Sequence, residues 1–200
     1  MPLKDLNPVL ILPGYGGSGA AHWQTRWERL YPDFRRVEER DWDAPERGEW
    51  VAALEAAVRA AGSGTILVAH SLACLQVAHW ALGSVEGFGG EDSRSPSPSL
   101  IRAALLVAPP DPLGPNFPEA ATGFSPLPLR PLPFPALVVG SSNDPYATSE
   151  FTESCARAWE ARFVSVGPLG HINAGSGLGD WDEGMELLES LLKQGMMSEE

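Results

Sequence analysis

The chain has 200 residues, of which 44% are hydrophobic and 20% charged, enough to bury one substantial core, so we expect a single domain over residues 1–200. Its 26 acidic and 14 basic residues give a net charge of −12, which argues against nucleic acid and anionic lipid as partners. The apolar run near the N-terminus is broken by Pro13 and Gly14, so we expect neither a signal peptide nor membrane insertion and infer a cytoplasmic protein.

Short β-branched runs alternate with longer amphipathic segments along the chain. This alternation is typical of a mainly parallel sheet covered on both faces by helices, a three-layer αβα arrangement with about six strands. The predicted strands are VLILP from Val9, RRVEE from Arg35, TILVAH from Thr65, RAALLVA from Arg102, ALVVG from Ala136 and RFVSV from Arg162.

Two helices are predicted from periodicity and end signals. The segment EWVAALEAAVRAAG, from Glu49, places its apolar residues on one face and ends at Gly62. Near the C-terminus, Asp180 is the expected N-cap, with Glu183 three residues later, and Gly195 is the expected end. Its inward-facing residues are predicted to be Leu188, Leu191 and Leu192.

Two segments interrupt the alternation. Residues 84–99 are rich in Gly, Ser and Pro and are predicted to form a flexible surface loop. Residues 109–135 combine prolines with bulky apolar residues, which predicts a rigid Pro-rich flap over the carboxyl edge of the sheet, near an active site.

The segment VAHSLAC places Ser71 between a predicted strand and a predicted helix. A sharp turn there exposes a serine hydroxyl and leaves the next backbone N–H free, as in a nucleophile elbow. The usual glycines two residues before and after the serine are replaced by Ala69 and Ala73, the smallest side chains that such a turn could admit.

A nucleophilic serine needs a histidine and a carboxylate from elsewhere in the chain. Asp144 follows the predicted strand ALVVG, and His171 lies in a glycine-rich loop after RFVSV. The order Ser, Asp, His is that of α/β-hydrolases. Asp111 also follows a predicted strand and is a rival acid.

Other residues have structural interpretations or secondary roles. The turn LPGYGGSG suggests an oxyanion hole made by the backbone N–H groups of Tyr15 and Leu72. Packing or hydrogen-bonding roles are predicted for three histidines, and one cysteine is predicted to fill space in the core. Four aromatic residues are candidates for the wall of the substrate-binding site. The histidines are His22, His70 and His79, the cysteine is Cys74, and the aromatic residues are Trp23, Phe117, Phe124 and Trp181.

The sequence resembles the small serine hydrolases of the YdeN and retinoblastoma-binding-protein type. The motifs that together carry this resemblance are PGYGGSG, HWQTRWE, HSLAC, LPFPALVVGSSNDPY and GHINAGSGLGDW. The resemblance implies an α/β-hydrolase core of about six strands without a large cap domain. It also implies Ser71 as nucleophile, Asp144 as orienting acid and His171 as general base. Ala69, Ala73 and the long 84–99 loop depart from the family pattern without touching these three residues.

We therefore expect a serine hydrolase of the carboxylic ester hydrolase type, acting through an acyl-enzyme on a small acyl ester, thioester or amide. No cofactor or metal is expected, because the histidines and cysteines lack zinc-ligand spacing, and no feature of the sequence indicates a protein partner. Two alternatives stay open: a binding or scaffold protein that keeps the fold, and a non-hydrolytic lyase. A dehalogenase would require Asp in place of Ser71.

Overall fold

The computed structural model describes residues 8–83 and 97–197 of the chain. Most of the predicted flexible loop, residues 84–96, lies outside these described residues. The remainder of that loop, followed by Leu100, forms a short 3-10 helix over Ser97–Leu100.

A parallel sheet of six strands forms the centre of the molecule, which confirms the predicted sheet. The strand order is β2-β1-β3-β4-β5-β6, and every pair of neighbours is parallel. The strands are β1 (Val9–Leu12), β2 (Phe34–Arg36), β3 (Thr65–His70), β4 (Ile101–Val107), β5 (Ala136–Gly140) and β6 (Arg162–Ser165).

Five helices cover the two faces of the sheet in the described part of the chain. They are α1 (Trp23–Leu30), α2 (Arg47–Ala61), α3 (Leu72–Leu82), α4 (Ser149–Ala158) and α5 (Asp182–Met197). Helices α2 and α5 confirm the two helices predicted from periodicity, whereas α1 and α4 were not predicted. Helix α4 carries a signal that could have revealed it, since the Thr148 side chain caps it by accepting a hydrogen bond from the Phe151 N–H.

Alternate residues of each strand enter separate hydrophobic clusters, because successive side chains point to opposite faces of a sheet. Leu10 and Leu67 pack with α2, α3 and α4 on one face. Ile11 and Val68 pack with α1 and α5 on the other. Both faces are therefore buried, and no cap domain covers the sheet among the described residues, in agreement with the prediction.

The predicted ends of the last helix are wrong. Helix α5 begins at Asp182 rather than after Asp180, and it continues past Gly195 to Met197. The Asp180 carboxylate accepts a hydrogen bond from Arg26 at 2.6 Å instead of capping the helix. The leucines of α5 that were predicted to face inward are nevertheless buried, namely Leu188, Leu191 and Leu192.

The Pro-rich segment 109–135 is only partly the flap that its composition predicts. Pro110, Asn116 and Pro118 lie beside the cavity described below. The later part packs onto the helices that cover the sheet, because most of its apolar side chains belong to the core, although Leu129 is exposed. Phe124, for example, is 1% exposed, and its carbonyl oxygen lies 2.9 Å from the Nε2 atom of His79 in α3.

The order in which strands join the sheet reverses at β1, and this reversal positions the functional site. Strand β2, which follows β1 in the chain, pairs with one edge of β1, and the next strand, β3, pairs with its other edge. In open α/β sheets, ligands bind outside the carboxyl ends of the strands at such a switch point. The loops that follow β1 and β3 contain Tyr15 and Ser71, respectively.

Candidate active site

Ser71 occupies a sharp turn between β3 and α3. Its φ of 57° and ψ of −127° lie in a region that L-residues rarely adopt, and such strain persists only where the surrounding structure enforces it. Ala69 and Ala73, two residues before and two residues after Ser71, are fully buried, so their methyl groups pack into the core around the turn. The local geometry is that of the nucleophile elbow predicted from the sequence.

The loop after β1 approaches this turn so closely that only glycine fits at position 14. A Cβ atom on Gly14 would lie 2.8 Å from the Ser71 Cβ, 2.9 Å from the His70 carbonyl oxygen and 3.2 Å from the Leu72 nitrogen. The backbone next to Gly14 is therefore held against the start of α3. This approach brings together the two segments whose N–H groups, from Tyr15 and Leu72, were predicted to form an oxyanion hole.

A continuous hydrogen-bonded chain joins Ser71, His171 and Asp144. The Nε2 atom of His171 lies 2.7 Å from the Ser71 Oγ. Its Nδ1 atom lies 2.9 and 2.8 Å from the two carboxylate oxygens of Asp144. The side chains of His171 and Asp144 are only 8% and 3% exposed. The three side chains that the sequence predicts to form a triad are therefore linked in succession at hydrogen-bond distances, although they come from distant segments of the chain.

The partners of His171 define where its proton lies. A carboxylate only accepts hydrogen bonds, so Nδ1 carries the hydrogen and donates it to Asp144. The Nε2 atom is then free to accept the Ser71 hydroxyl hydrogen. This tautomer can take a proton from a serine, and the adjacent carboxylate can stabilise the imidazolium that results.

The rival acid Asp111 lies in a different hydrogen-bond environment. Its Oδ1 accepts the backbone N–H of Leu113 at 2.9 Å, and its own N–H donates to the Tyr146 carbonyl at 3.0 Å. Asp111 therefore organises the turn after β4, whereas Asp144 contacts the imidazole.

Several polar groups fix the loop that carries His171. The Ser141 hydroxyl oxygen accepts the Leu169 N–H at 3.0 Å, and the Asn143 Oδ1 accepts the Gly170 N–H at 2.6 Å. Both acceptors belong to the segment SSND, which also contains Asp144. The position of the imidazole relative to the carboxylate is thus set by hydrogen bonds between their two loops.

His22 and His70 are buried beside this chain, with their ring centroids 4.7 Å apart. Burial lowers the pKa of His22 to about 4, with smaller contributions from the positive charges of His171 and Arg36. Burial also lowers the pKa of His70 well below its usual value. Both rings are therefore neutral at neutral pH.

The remaining candidates have structural positions. The His79 ring nitrogen lies 2.9 Å from the Phe124 carbonyl oxygen, and burial lowers its pKa. Cys74 is fully buried, and burial raises the pKa of its thiol well above the usual value. A thiol held protonated is a poor nucleophile.

A cavity of about 600 Å³ opens onto Ser71 and His171. Its wall contains four glycines, three histidines, two tyrosines, two prolines and several small or neutral polar residues. Its lining residues are Gly14, Tyr15, Gly17, Gly19, His22, His70, Ser71, Leu72, Pro110, Asn116, Pro118, Tyr146, His171, Asn173, Ala174 and Gly175.

The four aromatic residues predicted to bind substrate lie elsewhere, which corrects that prediction. Trp23 and Trp181 pack against each other in the core with their ring planes tilted by 59°, and they are 1% and 3% exposed. Phe124 packs against Trp50, and Phe117 turns toward the same core cluster. These aromatic residues lie close to the motifs in sequence, but they pack in the core beneath the site. The cavity itself is lined largely by glycine-rich loops.

Three lining residues with polar or aromatic side chains were not singled out from the sequence. The Tyr146 ring lies 4.4 Å from that of His171, and its position two residues after Asp144 was the available signal. Asn116 donates from its amide to the Pro145 carbonyl at 2.7 Å. Asn173 caps the short 3-10 helix Ala174–Ser176, so its sequence signal is a capping pattern rather than a catalytic one.

No helix among the described residues is long and apolar enough to cross a membrane. No group of three or more His, Cys, Asp or Glu side chains among them is arranged to hold a metal ion.

Comparisons with solved structures agree with this architecture. A protein from Pectobacterium atrosepticum described as a YdeN-like hydrolase is 28% identical, with a TM-score of 0.78 over 96% of this chain and 94% of its own. The ydeN gene product of B. subtilis is 18% identical, with a TM-score of 0.67 over 92% of this chain and 98% of its own. A thermophilic esterase from Thermogutta terrifontis is 16% identical, with a TM-score of 0.63 over 94% and 90%.

No curated protein matches the chain. The family model described as "Serine hydrolase", in contrast, matches residues 9–190, which include the elbow, the acid loop and the histidine loop. The expected α/β-hydrolase fold is confirmed, and the similar solved structures include YdeN-like proteins, as the resemblance implied. The chain therefore belongs to the serine hydrolase family.

Proposed function

We propose that the protein hydrolyses carboxylic esters through an acyl-enzyme formed on Ser71. The observation that carries this proposal is the unbroken hydrogen-bonded chain from the Ser71 Oγ through His171 to Asp144. A serine that serves only as a helix N-cap has no need of a buried imidazole–carboxylate pair. Here Ser71 makes no side-chain capping hydrogen bond to α3.

In the first half of the reaction, the Ser71 Oγ attacks the acyl carbon while the Nε2 of His171 takes its proton. The tetrahedral intermediate collapses as His171 returns that proton to the leaving alcohol, thiol or amine. Asp144 keeps the hydrogen on Nδ1 and stabilises the imidazolium throughout.

In the second half, water attacks the acyl-serine and gives its proton to His171. The acid is released and the Ser71 hydroxyl is restored, so no redox or metal-dependent step is required. In both halves, the backbone N–H groups of Tyr15 and Leu72 would stabilise the negatively charged oxygen of the tetrahedral intermediate. One such donor contributes about 3–4 kcal/mol to transition-state stabilisation in enzymes of this kind.

The cavity favours a small, uncharged acyl group. Apart from His22, His70 and His171, its lining contains no basic side chain and no carboxylate. The net charge of −12 further disfavours anionic substrates.

The direct test is hydrolysis of p-nitrophenyl butyrate by the wild type and by Ser71→Ala. We expect the variant to lose activity by at least about 10⁴-fold, because the nucleophile is absent. Ser142→Ala is the matched control, since Ser142 lies exposed in the acid loop and should leave the rate unchanged. A Ser71→Ala protein with wild-type turnover would contradict the proposal.

A further inference from the structure

His70 is the last residue of β3, directly before Ser71, and its side chain reaches the loop that carries His171. Its Nε2 atom lies 2.9 Å from the backbone carbonyl oxygen of His171, and the residue is 4% exposed. A carbonyl oxygen only accepts hydrogen bonds, so the Nε2 of His70 carries a hydrogen and donates it. The strand of the serine is thereby bonded directly to the main chain of the histidine.

The backbone that receives this bond is strained. Ile172, the next residue, is fully buried and has a φ of 49°, a left-handed conformation that is rare for a β-branched side chain. Such conformations persist only when several contacts enforce them. A second buried donor, the Trp23 indole N–H, bonds the Ile172 carbonyl oxygen at 2.8 Å.

Consecutive groups of the histidine loop are therefore held from two sides. Asn143, in the loop that carries Asp144, accepts the Gly170 N–H, while His70 and Trp23 donate to the carbonyl oxygens of His171 and Ile172. Among these contacts, only the bond from His70 joins the histidine loop to the strand that ends at Ser71. It is thus placed to set the distance between the imidazole and the serine hydroxyl.

We propose that His70 is a positioning residue that holds the His171 backbone so that Nε2 stays within hydrogen-bond distance of the Ser71 Oγ. This inference rests on the proposed function. His70 itself contacts no reacting atom in the proposed mechanism, because its donor group is committed to the carbonyl. Its role is exerted through His171.

The charge state of His70 suits this role. Burial keeps its pKa low, and the neighbouring His22 and His171 add to that effect. A neutral ring donates the required hydrogen bond without placing a second positive charge 5.0 Å from the imidazole of His171 when that group is protonated during the reaction. The positioning contact therefore does not oppose the proton transfer.

Three variants test the proposal. His70→Met removes the donor while keeping an apolar side chain of similar reach, and His70→Gln keeps an N–H donor the same number of bonds from the backbone. His79→Met is the control, because His79 makes the same kind of buried bond, at 2.9 Å to the Phe124 carbonyl, far from the serine. Steady-state hydrolysis of p-nitrophenyl butyrate is normalised to the folded fraction measured by circular dichroism.

We expect His70→Met to lower kcat by about 10- to 100-fold with KM within about threefold, since a displacement of about 1 Å in reacting groups has an effect of this size. His70→Gln should restore kcat to within about threefold of the wild type. His79→Met should reduce thermal stability and leave kcat unchanged. A purely structural role for His70 would instead make it behave like His79.

Full kcat in His70→Met would overturn the proposal, as would a His70→Gln variant as slow as His70→Met. If His70→Met does not fold, His70→Asn, whose amide is one bond too short to reach the carbonyl, is compared with His70→Gln in the same way. A Ser71→Ala protein that retains activity would defeat the proposed function instead. Activity lost in Ser71→Ala but kept in both His70→Met and His70→Asn would defeat only the positioning role.

Discussion

Both carboxylate oxygens of Asp144 lie within 2.9 Å of the Nδ1 of His171, and one of them also accepts the Tyr146 N–H. Replacing the carboxylate by an amide would favour the wrong tautomer of the imidazole. We expect Asp144→Asn to lower kcat/KM by about 10³- to 10⁴-fold in ester hydrolysis. Asp111→Asn, the matched control, should stay within about threefold of the wild type. Equal losses in the two variants would show that the acid has been misassigned.

Gly14 should be intolerant of any side chain. The Cβ of a Gly14→Ala variant would meet the Ser71 Cβ at 2.8 Å and the His70 carbonyl at 2.9 Å, so the loop or the elbow must move. Loss of one oxyanion donor through such a movement lowers kcat by about 10²- to 10³-fold. Gly19→Ala is the control, since a Cβ at this other cavity-lining glycine would contact nothing within 4 Å. Wild-type kcat in Gly14→Ala would argue against the close approach.

Phe124 should matter for stability and not for chemistry. It is 1% exposed and packs edge-on against Trp50. Truncation of a buried phenylalanine costs about 3–5 kcal/mol in the free energy of unfolding, so Phe124→Ala should lower the urea midpoint strongly. Leu113→Ala, at a position that is 82% exposed, should change it little. The folded Phe124→Ala protein should keep the wild-type rate of labelling by a fluorophosphonate; a slower rate would place Phe124 in the site after all.

Glu39 should make stability depend on pH. Burial raises its pKa from 4.5 to about 8, with a further contribution from Glu38, although the Gln76 hydrogen bond opposes the rise. The folded state then binds this proton more tightly than the unfolded state, so the contribution to stability is present below pH 4.5 and is lost as the pH rises toward about 8.

Glu39→Gln should therefore flatten the fall in the free energy of unfolding between pH 5 and pH 9, measured by urea denaturation at about four values across that window. Glu153→Gln, on the exposed face of α4, serves as the control and should keep the wild-type slope. An unchanged slope in Glu39→Gln would mean that another group is responsible.

Much of the sheet could be predicted from the sequence because local patterns and burial agree there. The buried parallel strands are short β-branched runs, and Asp144 and His171 each follow such a run. Parallel strands end at one common edge, so residues that follow them converge even when they are far apart in the chain. Convergence of Ser71, Asp144 and His171 was predictable for that reason.

Other features depend on tertiary contacts that leave no periodic signal. Phe124 lies among prolines in a segment without helix or strand, so only the packed structure shows that it is a core residue. Glu39 is similarly unremarkable in sequence, and its raised pKa comes from burial beside Gln76. The start of α5 was misplaced because Asp180 satisfies a capping pattern but is bonded to Arg26.

The identity of the nucleophile is tested most directly by peptide mapping after reaction with a fluorophosphonate probe. We predict one modified site, the Ser71 Oγ, with labelling abolished in Ser71→Ala and slowed in Asp144→Asn but retained in Asp111→Asn. Labelling that persists in Ser71→Ala, or a probe mapped to a different residue of the wild type, would contradict this prediction.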